Sequence, residues 1–247
     1  MKNLFSLLFL IFCITFINAQ ENKNSDFILI SGIVTDFDNN PIDSAFVEIK
    51  YSDFSTAYKT YSDKNGYYEI QIKKGKYLAL ASMKLAEYPS ANSTLPKEKQ
   101  KLEFWCWNLV ADEDLTINIR YNRLEIYGVN VFRIQGATPG YTIYCRPISL
   151  TRFFSGPDED LSQIDLCPNP DELSVKVKIN GNYVNVNMKE KVREYVPEGS
   201  LFGYLIHVDL PNQLNEKTYD IMEIEMLDIK TKDKGEAFYF IEKENYE

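Results

Sequence analysis

Across residues 31–80 apolar and polar side chains trade places over short runs, and a turn signal separates each run from the next. Tyr68, Ile70 and Ile72 alternate with Glu69 and Gln71, the period-2 pattern of a strand with one buried face. The same pattern predicts strands over residues 31–35, 46–51, 56–61, 67–72 and 76–80. Asp38-Asn39-Asn40-Pro41, Asp63-Lys64-Asn65-Gly66 and Lys73-Lys74-Gly75 supply the turns, with Gly66 and Gly75 where a hairpin calls for positive φ.

Residues 87–100 then read as an exposed loop, rich in Pro, Ser and Lys and carrying the glycosylation triplet Asn92-Ser93-Thr94. Residues 102–109 and 115–120 are the sixth and seventh strands and close a β-sandwich near Asn122. In the first of them Trp105 and Trp107 share one face, and Phe104 and Cys106 the other. Further on, strands are predicted over residues 124–134, 141–148, 202–210, 219–229 and 237–241, with an irregular stretch over 151–170 that holds the acidic run Asp158-Glu159-Asp160. Asn180-Gly181 sets a hairpin that pairs Val177 with Val184 and Val175 with Val186, and places Lys176 opposite Asn185. Met188, Val192 and Tyr195 predict a short helical turn that Pro197 ends. The expected fold is all-β: two tandem β-sandwich domains, residues 27–122 with seven strands and residues 123–247.

Four linked blocks give the front half a resemblance. Ser31-Gly32-Ile33-Val34-Thr35-Asp36, Pro41-Ile42 with Ala45-Phe46-Val47, Ser62-Asp63 with Gly66-Tyr67-Tyr68, and Gly75-Lys76-Tyr77 resemble the carboxypeptidase regulatory-like domain. That resemblance implies a seven-stranded sandwich of transthyretin-like (prealbumin-like) topology. It also implies a non-catalytic scaffold or binding module of secreted or envelope proteins in bacteria, with no peptidase centre. The family's glycine in the first turn is replaced by Asn39-Asn40, and Asn also tolerates the left-handed region. Residues 123–247 resemble no family.

Lys2, the apolar run over residues 4–17 and Ala19 have the build of a signal peptide, residues 1–19, which predicts a mature start at Gln20. Phe12 ahead of Cys13 is too bulky for a lipoprotein site, so cleavage and release to the periplasm, envelope or medium is expected, with no transmembrane segment in the mature chain. The 247 residues hold Lys+Arg 27 against Asp+Glu 36, a net charge of −9 that repels nucleic acid and anionic lipid.

Candidate chemistry is sparse. His207 is the one histidine, set between Ile206 and Val208, and reads as structural rather than as a general base. Neither a two-histidine zinc helix nor a Gly-x-Ser-x-Gly elbow occurs, so no catalytic residue and no cofactor are expected. Asp36-x-Asp38-x-Asn40 imitates the start of a calcium loop but continues with Pro41 and Val47 where Gly and Glu belong, so no metal is expected. Glu103 and Glu125 stand where a carboxylate pair of the kind that hydrolyses glycosidic bonds could arise, but nothing in the sequence sets them opposite each other, and solvated surface carboxylates are the expectation. Cys106, Cys145 and Cys167 permit one bridge, Cys145 with Cys167 first, or three buried thiols. Trp105 and Trp107 are the ligand-binding candidates, because sugar rings stack on aromatic faces, but apolar residues on both faces of their strand favour a core over a platform. The expected function is an exported, non-catalytic accessory module whose partner is an envelope protein or a glycan. The alternatives are a carbohydrate-binding protein using the tryptophan face and a small glycan-active enzyme.

Overall fold

The computed structural model describes residues 26–90, 93–134, 136, 139–156, 165–196, 199–211 and 216–243. The expected signal peptide, Asn92 of the glycosylation triplet, the acidic run at 158–160 and Pro197 lie outside the described residues.

The front half follows its alternation. In β1 (Phe27–Thr35) Ile28, Ile30 and Val34 point inward, and in β4 (Tyr67–Lys73) Tyr68, Ile70 and Ile72 do so; the two strands pair antiparallel with Ile30 opposite Ile70. Gly66, ahead of β4, takes φ 77°, and Asn39 takes φ 63° in the first turn. The expected seventh strand is instead two short ones, β7 (Leu115–Thr116) and β8 (Ile119–Arg120), both parallel to β1. Between them the Ile117 carbonyl comes down on Gly32, where a Cβ would lie 2.0 Å from its oxygen. Side chains complete the ladder at the breaks: Leu29 N donates to Asp114 Oδ1 at 2.7 Å and Ile33 N to Asn118 Oδ1 at 3.1 Å.

The remaining front strands, β2 (Phe46–Lys50), β3 (Thr56–Tyr61), β5 (Gly75–Met83) and β6 (Phe104–Ala111), join a sheet that does not stop at residue 122. It continues through β16 (Lys234–Glu242), β15 (Tyr219–Asp228), β11 (Leu173–Ile179) and β12 (Asn182–Val184), in the order β3-β2-β5-β6-β16-β15-β11-β12. The seam is parallel, with Ala237, Phe238 and Tyr239 opposite Trp105, Cys106 and Trp107. A four-stranded sheet, β13-β14-β10-β9, is formed by β9 (Leu124–Phe132), β10 (Tyr141–Ser149), β13 (Val186–Val196) and β14 (Gly199–Val208). A short helix, α1 (Leu150–Ser155), follows β10.

Two cores lie on opposite faces of the eight-stranded sheet. Phe104, Cys106, Leu80 and Phe240 face the core shared with β1, β4, β7 and β8. Trp105, Trp107, Ala79, Ala81 and Ala237 face the core shared with β9, β10 and β14. Strands β5, β6 and β16 are therefore covered on both faces, which is why residues 104–111 read as a nearly unbroken apolar run. The protein is all-β in three layers, and the boundary expected at 122/123 falls between strands of a chain that shares one sheet on both sides of it.

Two local expectations are corrected. The Asn180-Gly181 hairpin pairs Val177 with Val184 as expected, but Val175 lies opposite Met226 and Val186 opposite Val208. The chain crosses between sheets at Asn185, whose side chain donates to Asp209 Oδ2 at 2.7 Å and whose carbonyl accepts from Asp209 N at 3.1 Å. The helical turn over Met188, Val192 and Tyr195 is strand β13, paired with β14 from Val186↔Val208 to Val196↔Gly199. A full-length antiparallel partner satisfies every second backbone group there and overrides a weak helical spacing.

Candidate ligand-binding cleft

The tryptophan face is not a platform. Trp105 and Trp107 are each 5% exposed, stacked with ring centroids 4.6 Å apart, and capped edge-on by Tyr127 at 5.6 and 5.4 Å. Tyr127 belongs to β9, so the back half covers what would be a stacking surface. A sugar needs an open aromatic face, and neither indole has one. Trp105 and Trp107 are core.

Glu103 and Glu125 do come together, but under that same core. Glu125 accepts from Trp105 Nε1 at 2.8 Å, and burial, then the Glu103 charge, pushes its carboxyl up to about 8. Burial also raises Glu103, against the Tyr88 hydroxyl and Lys50, which favour its charged form. A glycosidase pair must flank a substrate cleft. Glu125 is 6% exposed, so it presents nothing to a sugar. Cys106, Cys145 and Cys167 are buried free thiols, and burial pushes Cys167 up to about 12. In the first turn the Asp36 carboxylate accepts from Asp38 N, Asn40 N and Asn40 Nδ2, each at 2.9 Å, which is turn chemistry.

The site that sequence reasoning missed opens where the N-terminal sheet stops covering the eight-stranded one. Ile33, Thr35, Asn39, Thr116 and Arg120 form one wall of a cleft of about 530 Å³, and Lys178, Glu223, Glu236 and Phe238 form its floor. Its centre is a conflict that one side chain resolves. Glu225 and Glu236 lie directly opposite on β15 and β16, a like-charged pair that repels. Arg120, brought in on β8, reaches both: Nη2 lies 2.5 Å from Glu236 Oε1 and 3.1 Å from Glu225 Oε2, and Nε donates to Glu236 Oε2 at 3.3 Å. Burial raises the Glu236 carboxyl, and the Arg120 hydrogen bond opposes that rise. The guanidinium also lies 5.0 Å from the centre of the Phe37 ring.

The other charges are matched across the β11–β15 ladder. Lys178 stands opposite Glu223 with an ion pair at 3.3 Å, and Lys176 opposite Glu225 at 3.5 Å. Lys178 also lies 5.3 Å from the centre of the Tyr183 ring. Arg120 and Lys178 thus balance Glu223 and Glu236 in the cleft lining, Lys176 and Glu225 pair beside it, and the cleft is locally neutral on a chain of net charge −9. The sequence does carry a signal, Lys176-Val177-Lys178 and Glu223-Ile224-Glu225, two charged rows at strand period. Their meeting with Arg120 depends on pairings between residues about a hundred positions apart.

No protein-family model matches the sequence, and no curated protein does. Among solved structures, BcpA, the major pilin subunit of Bacillus cereus, is 13% identical over 87% of this chain and 68% of its own, with a TM-score of 0.27. A DUF3823 family protein from Parabacteroides merdae is 8% identical over 89% of this chain and 100% of its own, with a TM-score of 0.26. A candidate carbohydrate-binding protein from Bacteroides uniformis is 11% identical over 89% of this chain and 100% of its own, with a TM-score of 0.29. Overlaps at this level carry no argument about the site, and the fold described above rests on its own strand pairing.

Proposed function

We propose that this chain is an exported, non-catalytic binding module of the bacterial envelope, and that the Arg120 cleft holds an uncharged, hydroxyl-rich ligand, a glycan. The observation that carries this reading is the charge balance of the cleft. Each cation in it is already paired, so an ionic ligand would have to break an existing pair to gain a new one. A neutral polyol avoids that cost, because hydroxyls donate to carboxylates and accept from guanidinium and ammonium groups at once. Ile33 and Phe238 give apolar surface for the face of a sugar ring.

Binding is favoured over hydrolysis by the same geometry. Acid–base cleavage needs one free carboxylic acid and one free carboxylate, whereas a single guanidinium nitrogen holds both Glu225 and Glu236. A panel of soluble polysaccharides tests this directly. The expected result is saturable binding to at least one glycan without release of reducing ends, weakened at least tenfold in Arg120→Gln with unchanged circular dichroism. Absence of binding across the panel, or the appearance of new reducing ends, contradicts the proposal.

A further inference from the structure

The outer face of the β13-β14-β10-β9 sheet carries a second concavity of about 500 Å³, remote from the cleft in both residues and chemistry. Its floor is one cross-strand row that runs the width of the sheet: Phe132 opposite Thr142, Thr142 opposite His207, and His207 opposite Met188. Outward-facing rows on a sandwich are normally polar. Here Phe132, Met188 and the adjoining Ile134 are large apolar side chains 42%, 41% and 58% exposed around one pocket.

Two features make this more than an apolar patch. Gly140 closes the end of the β9–β10 connection onto the imidazole edge: a Cβ there would lie 2.5 Å from His207 Cε1, 2.5 Å from Nε2 and 2.5 Å from the Val208 carbonyl oxygen. The chain therefore gives up a side chain to bring a wall against the ring. The polar lining is also confined, with Thr142, Asn187 and His207 set among Phe132, Ile134, Met188 and Leu205. An apolar volume of this size with a few converging polar groups is the form of a small-molecule site rather than of a flat protein interface.

Charge then narrows the class of occupant. Asn187 Nδ2 is already donated to Asp209 Oδ1 at 2.6 Å, and Asn185 Nδ2 to Asp209 Oδ2 at 2.7 Å. Those two amides favour the charged form of Asp209, which is not part of the pocket lining but interacts electrostatically with His207, which is. A fixed carboxylate there opposes a second anion, and the apolar walls oppose a cation or a sugar.

We infer that this pocket binds an uncharged, largely apolar small molecule carrying one hydroxyl or carbonyl group, which faces His207 and Thr142 while its body lies on Phe132, Ile134 and Met188. The inference is independent of the glycan reading, since no residue is shared between the two sites.

His207 is the only histidine in the chain, so its Cε1 proton is a single resolved reporter inside the pocket. The full chain is titrated with 2-naphthol and, separately, with its anionic counterpart 2-naphthoate. The inference expects a saturable shift of the His207 resonance with 2-naphthol and at least tenfold weaker binding of 2-naphthoate. It also expects loss of the shift in Met188→Glu and in Ile134→Glu, both at exposed positions where folding tolerates a charge. No saturable shift up to the solubility of 2-naphthol, equal or tighter binding of 2-naphthoate, or a shift retained in both variants would overturn it. So would sedimentation velocity showing a dimer that Met188→Glu dissociates, because the apolar face would then belong to a second copy of the chain.

Discussion

A carboxyl group that water cannot reach is held protonated until the pH is well above its usual value, and Glu125 is in that position. Its folded value of about 8 stands above the ordinary unfolded one of about 4.3, so the stability linked to it is fully present below about pH 4.3 and lost as pH rises towards 8. Unfolding free energy is therefore expected to fall across that window, by at most about 1.4 kcal/mol per pH unit. Glu125→Gln, which keeps an acceptor for the Trp105 N–H, should flatten the slope and be at least as stable as the wild type at pH 8. Denaturant titrations at several pH values check this, and an unchanged slope in the variant contradicts it. The sequence placed both indoles on one face and favoured a core for them, but it read Glu103 and Glu125 as solvated surface carboxylates, whereas Glu125 is buried. It could not say that the four occupy one buried neighbourhood, because the cover, Tyr127, arrives on a later strand.

At the scale of elements, legibility followed the kind of pairing. Strands β2 to β5 were readable because local alternation and local turns define them, and β6 because both of its faces are apolar. The division between β7 and β8 was hidden, since it is made by Asp114 and Asn118 side chains standing in for backbone acceptors. Strand β13 was hidden because Met188, Val192 and Tyr195 fit a helical spacing, and only β14 decides against it. The Ile117 approach also gives Gly32 a role that its extended strand would not suggest. Gly32→Ala puts a carbon 2.0 Å from a backbone oxygen that no rotamer change can move. Its expected cost is about 1–3 kcal/mol, the range for overpacking, read as a lower denaturation midpoint. A variant as stable as the wild type would show that β7 and β8 do not sit where described.

At the scale of the whole molecule, the parallel seam between β6 and β16 makes the rest possible. It carries Glu223, Glu225 and Glu236 alongside Arg120, so the cleft is assembled from both halves of the chain. It also places the tryptophans of the front half in a core built largely by the back half. Such long-range contacts leave no trace in local periodicity, which is why two tandem domains were the natural reading of the sequence. We propose instead one cooperative body, and the tryptophans report on it directly because both belong to residues 20–122. In the full chain their emission should be blue-shifted and resistant to an aqueous quencher, and should be lost in a single transition that coincides with far-ultraviolet circular dichroism. In a fragment of residues 20–122 the emission should be red-shifted and freely quenched. A fragment that keeps blue-shifted, protected emission and unfolds cooperatively by itself would contradict the shared sheet, and with it the cleft.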